Sequence, residues 1–232
     1  ILEKEILQQD IKTNLFSTIN LLEQGYKRGL KKFIYGSSIA VYGKIDKKEI
    51  SENDSKNPIT SYGISKLMTE KYIQYLVKNR LKKVQYIILR YSNLYGPKQS
   101  DLGEVGVIRN FIKDYFDKNI ITKHGNGKQI RDFLYVDDAA EATIKSIFYK
   151  KNSIFNLTYG SSKSVNYIID ILKSILKKNI KLKKKKFHSG EYHYFRASSN
   201  LIKSKLKWHP KTNLKKGIET TIIEYLNEKY SK

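Results

Sequence analysis

The chain has no cysteine in 232 residues. That excludes a disulfide framework and a thiolate metal site, and it suits a reducing cytoplasm. No apolar stretch approaches the roughly 20 residues of a membrane-crossing helix, so no membrane partner is expected. Metal ligands are equally scarce. Of the four histidines, His124 and His209 stand apart. His188 and His193 flank Glu191 in a polar stretch that reads as loop, not as a zinc site. No metal is expected.

Acidic residues are few as well. Lys and Arg number 45 against 22 Asp and Glu, a net charge of +23, and such an excess raises nucleic acid as a partner. The shortage of arginine argues against it, with six arginines beside 39 lysines. Base readout and bidentate phosphate clamps favour the arginine fork, and a nucleic-acid footprint clusters on one face. Here the lysines run along the whole chain among many Ile, Asn and Tyr. The densest run, residues 181–186, reads as a solvated strand edge or loop. Nucleic acid is not an expected partner.

What the chain does have is an alternating strand and helix pattern. Hydrophobic residues make up 40 %, enough for a sizeable core. Leu15, Ile19 and Leu22 recur at helical spacing and predict one helix over residues 3–29. Residues 31–38 read as a short buried strand, 43–58 as a loop, and 61–79 as a helix capped by Ser61. A strand over 84–93 leads into a loop at 94–104. Further helices are predicted over 106–117, from a cap at Asp137 to 149, and over 165–176, 200–206 and 214–229. Strands are predicted near 120–123, 133–136 and 153–160. This alternation predicts a parallel sheet joined by crossover helices.

Chemistry concentrates at Tyr62 and Lys66, four residues apart on one helix face. A nearby cation favours the phenolate and pulls tyrosine below its usual pKa of about 10. Such a tyrosine can exchange a proton with a substrate hydroxyl near neutral pH. Tyr and Lys are common in this chain, so the spacing alone is weak, and a surface ion-pairing helix would show it too. Its surroundings strengthen it. One strand ends in Gly36-Ser37-Ser38 and another in Arg90-Tyr91-Ser92-Asn93, and open parallel sheets place ligands at strand carboxyl ends.

Five stretches occur in a familiar order and spacing: NLFSTINLLE from Asn14, SSIAVYG from Ser37, YGISK from Tyr62, LRYSNLYGP from Leu89 and GKQIRDFLYVDD from Gly127. From Asn14 to Pro210 the chain resembles the extended short-chain dehydrogenase/reductases, especially the UDP-glucose 4-epimerase group of the NAD-dependent epimerase/dehydratase family. The resemblance implies an α/β fold, a Rossmann-like doubly wound parallel sheet represented by its second half. Residues 1–160 would form that half, with a substrate-binding segment inserted at about 97–135. Residues 161–232 would form a small C-terminal substrate lobe. The implied cofactor is NAD, with NADP left open, and the implied substrate is a nucleoside-diphosphate sugar. A homodimer is implied through the helices around 14–23 and 62–76.

Residue by residue, the resemblance makes Ser38 the hydroxyl that holds the substrate, Tyr62 the acid/base, and Lys66 the cation on the nicotinamide ribose. Ser92 would sit beside the nicotinamide and Asn14 near the cofactor. Asn93 and Arg131 would meet the substrate phosphates, while Val107 and Ile108 would line the pocket through main-chain groups. The implied reaction is epimerisation, at the 4-position, through a transient keto sugar. A reductase or dehydratase with the same trio stays as an alternative, and so does a non-catalytic or nucleic-acid-binding member. Dehydratases of the superfamily resemble one another in an Asp-Glu pair after the hydroxyl residue, where this chain has Ile39 and Ala40.

Three departures stand out. The family's opening strand and GxxGxxG loop are missing, and Gly125-Asn-Gly127 lies too late to replace them, so the expectation is an N-terminally truncated chain that is inactive alone. The family's RxGD-like stretch reads His188-Ser-Gly-Glu191, with Arg196 as the alternative cation. A later Asp is replaced by Ser198.

Overall fold

The computed structural model describes residues 2–44, 49–101, 106–186 and 195–230. In chain order come α1 (Leu2–Asp10), a π-helical segment (Ile11–Phe16), α2 (Ser17–Lys27), β1 (Lys32–Ser38), a 3-10 turn (Ile39–Tyr42), α3 (Ser61–Asn79), β2 (Gln85–Tyr91) and β3 (Asn93–Tyr95). Then follow α4 (Val107–Lys118), β4 (Ile120–His124), β5 (Ile130–Arg131), β6 (Phe133–Tyr135), α5 (Val136–Ile147) and β7 (Ser153–Leu157). The last elements are β8 (Lys163–Ser164), α6 (Val165–Leu176), β9 (Lys181–Lys185), α7 (Asn200–Leu206) and α8 (Leu214–Tyr230). Two compact units share them. Unit 1 holds Ile1–Ser92, Ala142–Leu157 and Ala197–Trp208; unit 2 holds Asn93–Glu141, Thr158–Arg196 and His209–Lys232.

Unit 1 rests on a parallel sheet ordered β1-β2-β7. The continuous apolar run Ile87, Ile88 and Leu89 is fully buried, as expected of a strand covered on both faces. Leu22 of α2 and Ile73, Leu76 and Val77 of α3 close over Tyr35 and Ile88 to form its core. The predicted helix over 3–29 is interrupted by a six-residue π-helical stretch. Within it, the Asn14 carbonyl accepts the Thr69 hydroxyl at 3.1 Å and the Asn14 amide donates to Ser65 Oγ at 2.9 Å. Local widening of a helix is a known accommodation at functional positions, and here it coincides with the docking of α3. Thr60, not Ser61, caps α3: its hydroxyl accepts from Gly63 N at 3.1 Å.

Among the described residues, unit 2 contains three strand pairs, β3-β6 and β4-β9 parallel and β5-β8 antiparallel. Its core joins Ile108, Phe111 and Ile112 of α4 to Ile168, Ile169 and Leu172 of α6 and to Ile218 and Ile222 of α8. The lysine run becomes β9, exposed along its length and paired to β4, which agrees with the solvated strand edge expected. Two sequence expectations need correction. The start of the presumed loop at 94–104 is strand β3, because Asn93, Leu94 and Tyr95 pair in register with Phe133, Leu134 and Tyr135. Asp137 lies inside the first turn of α5, which begins at Val136, where its charge still complements the helix dipole. The fold is α/β and Rossmann-like, with a largely helical C-terminal region. Among the described residues, no helix is long and apolar enough to cross a membrane.

Candidate active site

The carboxyl end of β1 carries Ser38, which ends the strand and caps the 3-10 turn after it. Its Oγ accepts from Ala40 N at 3.2 Å. The Ala40 carbonyl in turn lies against Gly63, where an added Cβ would stand only 2.7 Å from it. A side chain at residue 63 would therefore push the start of α3 away from the serine turn. Tyr62 is the second residue of α3, and Lys66 follows one turn later. The Lys66 ammonium stands 5.5 Å from the centroid of the Tyr62 ring and 5.0 Å from that of Tyr35. It donates to the Gly36 carbonyl at 2.8 Å, two residues before Ser38. Burial lowers the Lys66 pKa, with Asp10 pulling the other way. A half-buried cation beside a phenol favours the phenolate, so unit 1 holds the groups of a proton-transfer site on one helix and one strand end.

Ser92 follows β2 in unit 1. Its Oγ is buried and has no hydrogen-bond partner among the described residues, so a donor and acceptor is held there uncommitted. Asn14 is engaged with Ser65, whose own hydroxyl donates to the Tyr62 carbonyl at 2.9 Å. That places Asn14 one bond away from the helix turn that carries the tyrosine.

Unit 2 contains a cavity of about 760 Å³ whose wall includes Asn93, Val107 and Arg131. These residues are widely separated in sequence and come from the start of β3, the start of α4 and β5. The Asn93 amide donates to the Asp132 carbonyl at 2.9 Å, which fixes its orientation on the wall. The Arg131 guanidinium donates to the Ile130 carbonyl at 2.9 Å. Ile108 is not on that wall, because its side chain is buried in the core, and only its main chain is left for the expected role. Lys118 and Lys185 also face the cavity. Among the described residues the sole acid on its wall is Asp114, which accepts from Thr122 N at 3.0 Å and Lys118 at 3.3 Å. Burial raises the Asp114 pKa, but the Thr122 and Lys118 contacts outweigh it and hold the carboxyl below its ordinary value. Among the described residues, three cations against one committed carboxylate make the cavity suited to an anion.

Sequence reasoning missed several of these groups. Asn110, Asp114 and Lys118 recur with Val107 at helical spacing on α4, and that period was the available signal. It also gave no role to Glu70, Arg90, Tyr42 and Asn156, which form a buried polar network. An arginine inside the apolar run of β2 was the clue there, since a buried charge requires a partner. The His188-Ser-Gly-Glu191 stretch and His193 lie outside the described residues. Among the described residues, no group of acids and histidines could hold a metal ion.

Set against known proteins, residues 4–158 match the NAD dependent epimerase/dehydratase family. The chain belongs to that family. It is 37 % identical over 221 residues to a Methanocaldococcus jannaschii protein that carries the provisional name UDP-glucose 4-epimerase, covering 95 % of this chain and 70 % of that protein. The fold superposes on the Thermotoga maritima UDP-glucose 4-epimerase with UDP-glucose, with a TM-score of 0.91 and 31 % identity, covering 96 % of this chain and 72 % of that one. It also matches the Bacillus cereus UDP-glucuronic acid 4-epimerase in complex with UDP-glucuronic acid and NAD, with a TM-score of 0.85 and 29 % identity, covering 93 % and 68 %.

Proposed function

We propose that this protein is a nucleotide-sugar epimerase that inverts one carbon, C4, of a nucleoside-diphosphate sugar with NAD as cofactor. The carrying observation is the Lys66 ammonium, 5.5 Å from the Tyr62 ring and bonded to the strand that ends in Ser38. The solved relatives bind UDP-glucose, or UDP-glucuronic acid together with NAD. Within unit 1, the Lys66 ammonium and the uncommitted Ser92 hydroxyl fit a ligand rich in hydroxyl and amide groups, as a nicotinamide riboside is. NAD, when bound, supplies the capacity to take up and return hydride. Tyr62 accepts the proton of the sugar hydroxyl and later returns it. Ser38 holds the same oxygen by hydrogen bonding, and Lys66 stabilises the phenolate that Tyr62 presents before the first transfer and regains after the second. In unit 2, Asn93, Arg131 and the flanking lysines bind the diphosphate.

Epimerisation is favoured over dehydration because Ile39 and Ala40 follow Ser38. Elimination of water needs an additional acid and base, and neither side chain can transfer a proton. The test is incubation of the chain, supplied with the family's opening GxxGxxG segment, with UDP-, dTDP- and GDP-hexoses without added NADPH, with products resolved by NMR. The expected product is the C4-inverted sugar. Tyr62→Phe should lower kcat by about 10²–10⁴-fold while largely sparing substrate binding. A 4-keto-6-deoxy sugar would refute the reading in favour of a dehydratase. Turnover of a keto sugar only when NADPH is supplied would replace it with a reductase.

The same reading includes a homodimer and the cytoplasm as location. On α3, Ile64, Met68, Tyr72 and Tyr75 form an exposed stripe at helical spacing, and Phe16 and Leu21 are exposed on the neighbouring helical segments. Such a band is a large apolar area to leave in water. A second copy of the chain, presenting the same helices, would cover it. Light scattering should report a dimer, and Met68→Glu with Tyr72→Glu should dissociate it. A concentration-independent monomer for the unsubstituted protein would rule the dimer out.

A further inference from the structure

We propose that Glu70 is a positioning residue for the proton-transfer trio, fixing where α3 holds Tyr62 and Lys66 against the serine strand, a role that rests on the epimerase reading above. Glu70 lies four residues beyond Lys66 and eight beyond Tyr62, on the same side of α3. Its carboxylate is fully buried. It accepts from Ser37 Oγ at 2.5 Å, from Arg90 Nε at 2.9 Å and from Arg90 Nη2 at 2.6 Å. Ser37 and Arg90 are register partners across the β1–β2 ladder, so one carboxylate grips both strands at the same level. That level is one residue before Ser38.

The grip extends past the serine. Arg90 Nη1 donates to the Tyr42 hydroxyl at 2.7 Å, and the guanidinium stands 4.9 Å from the Tyr42 ring centroid. The Tyr42 hydroxyl donates to Asn156 Oδ1 on β7 at 2.6 Å. Ser38 is thus anchored through Ser37 on one side and through the end of its own 3-10 turn on the other. Apolar packing of Leu76 and Ile73 alone would not set the height of α3 on the sheet, because it has no preferred direction. A bidentate arginine–carboxylate pair does. Buried ion pairs add little net stability over apolar residues of equal volume, so what this one supplies is geometry. Proton transfer is sensitive to that geometry, and a displacement of about 1 Å can cost about a hundredfold in rate.

Three variants test this: Ser37→Ala, Glu70→Gln, and the pair Glu70→Leu with Arg90→Met, which removes both charges at similar volume. Each is read by Tm, by the Tyr62 ring resonances and their pH titration in tyrosine-labelled protein, and, with the GxxGxxG segment supplied, by kcat and KM on the hexose panel. The Tyr62 signals are assigned by their loss in Tyr62→Phe. The paired variant should keep its Tm while the Tyr62 resonances and titration move. Its kcat should fall about tenfold to a hundredfold with KM changed less than about twofold. A folded paired variant with unchanged Tyr62 resonances, titration and kcat would overturn the proposal and leave Glu70 a core residue only. If the pair does not fold, Ser37→Ala removes one donor without stranding a charge, and its Tyr62 signals decide the matter in the same way. Displaced Tyr62 signals in the variants, with no hexose inversion by the otherwise unsubstituted chain supplied with the GxxGxxG segment, would uphold the positioning and refute the epimerase reading.

Discussion

Each unit buries an arginine, and the two are held in opposite ways. In unit 1, Arg90 and Glu70 meet at 2.6 Å with side chains 2 % and 1 % exposed. In unit 2, Arg109 is buried too, but its acids, Asp101 at 2.9 Å and Glu228 at 3.2 Å, are 35 % and 36 % exposed. The first pair is sealed from water and shares its hydrogen bonds with two strands and a turn. The second reaches from the interior to the surface, where solvent can replace either acid. The sealed pair suits the fixed distances that the proposed proton-transfer site needs, while Arg109 stands off the wall of the anion-suited cavity.

The sharpest way to break this contrast is to remove the sealed acid. Glu70→Ala strands the Arg90 charge with no water to take its place, and should cost about 3–5 kcal/mol. Urea unfolding measures it, and a loss below about 1 kcal/mol, typical of a surface pair, would show that water reaches Arg90.

A second contrast lies in two glycines at positive φ. Gly43 has φ +70°, and an added Cβ would lie 1.6 Å from the Asn57 carbonyl oxygen, which is backbone bridged to residue 43. Gly127 has φ +74°, but its nearest obstacles are the ends of the Asn166 and Lys123 side chains. Backbone strain of about 1–3 kcal/mol applies to alanine at either site. Displacing a fixed carbonyl adds about 1–3 kcal/mol more, which movable side chains avoid. Gly43→Ala should therefore lower Tm more than Gly127→Ala, and the reverse order would place the rigid region in unit 2.

These regions were unequally legible in the sequence. Short apolar runs exposed β1 and β2, and helical spacing exposed α3, α6 and α7, because each is a local pattern of apolar side chains. Ser38, Tyr62, Lys66 and Ser92 were singled out because short motifs carry them. Strand β3 was not, since its three residues are strand only by pairing with β6, 40 positions away in register. The π-helical stretch was hidden for a similar reason, as it coincides with contacts from Asn14 to Ser65 and Thr69, more than 50 positions away. Ile108 was read as lining the pocket through its main chain; its side chain faces the core, while its neighbour Val107 is on the cavity wall.

Alkali should separate the sealed network from the rest by titration. Burial pushes the Tyr42 phenol up to about 12, with Arg90 and Asn156 pulling it down. A phenol raised in the folded state contributes stability that is present below its unfolded pKa near 10 and lost as pH rises towards 12. The unfolding free energy should therefore fall across pH 10–12, with Tyr42 supplying about 2–3 kcal/mol of the loss. Tyr42→Phe should be less stable at neutral pH and show a shallower alkaline decline. Parallel declines in both proteins would mean that Tyr42 titrates as an exposed tyrosine does.

The smallest effect belongs to the open pair. Asp101→Asn removes one acid from Arg109, but Glu228 remains at 3.2 Å and the Tyr225 ring still lies 4.6 Å from the guanidinium. Water can reach the vacated side because Asp101 is about a third exposed. The expected loss is below about 1 kcal/mol, shrinking in high salt as surface charges are screened. Its pH dependence has a definite sign. The hydrogen bond from Arg109 is the main cause holding the Asp101 carboxyl below its ordinary value, against burial and with help from Lys113. A depressed carboxyl contributes stability above its unfolded pKa and loses it as pH falls through the folded one, so the contribution disappears on acidification below about pH 4. Asp101→Asn should match the unsubstituted protein in strong acid and trail it slightly at neutral pH. A neutral-pH loss as large as that of Glu70→Ala, insensitive to salt, would mean that Arg109 is sealed as well, and the contrast between the two arginines would no longer hold.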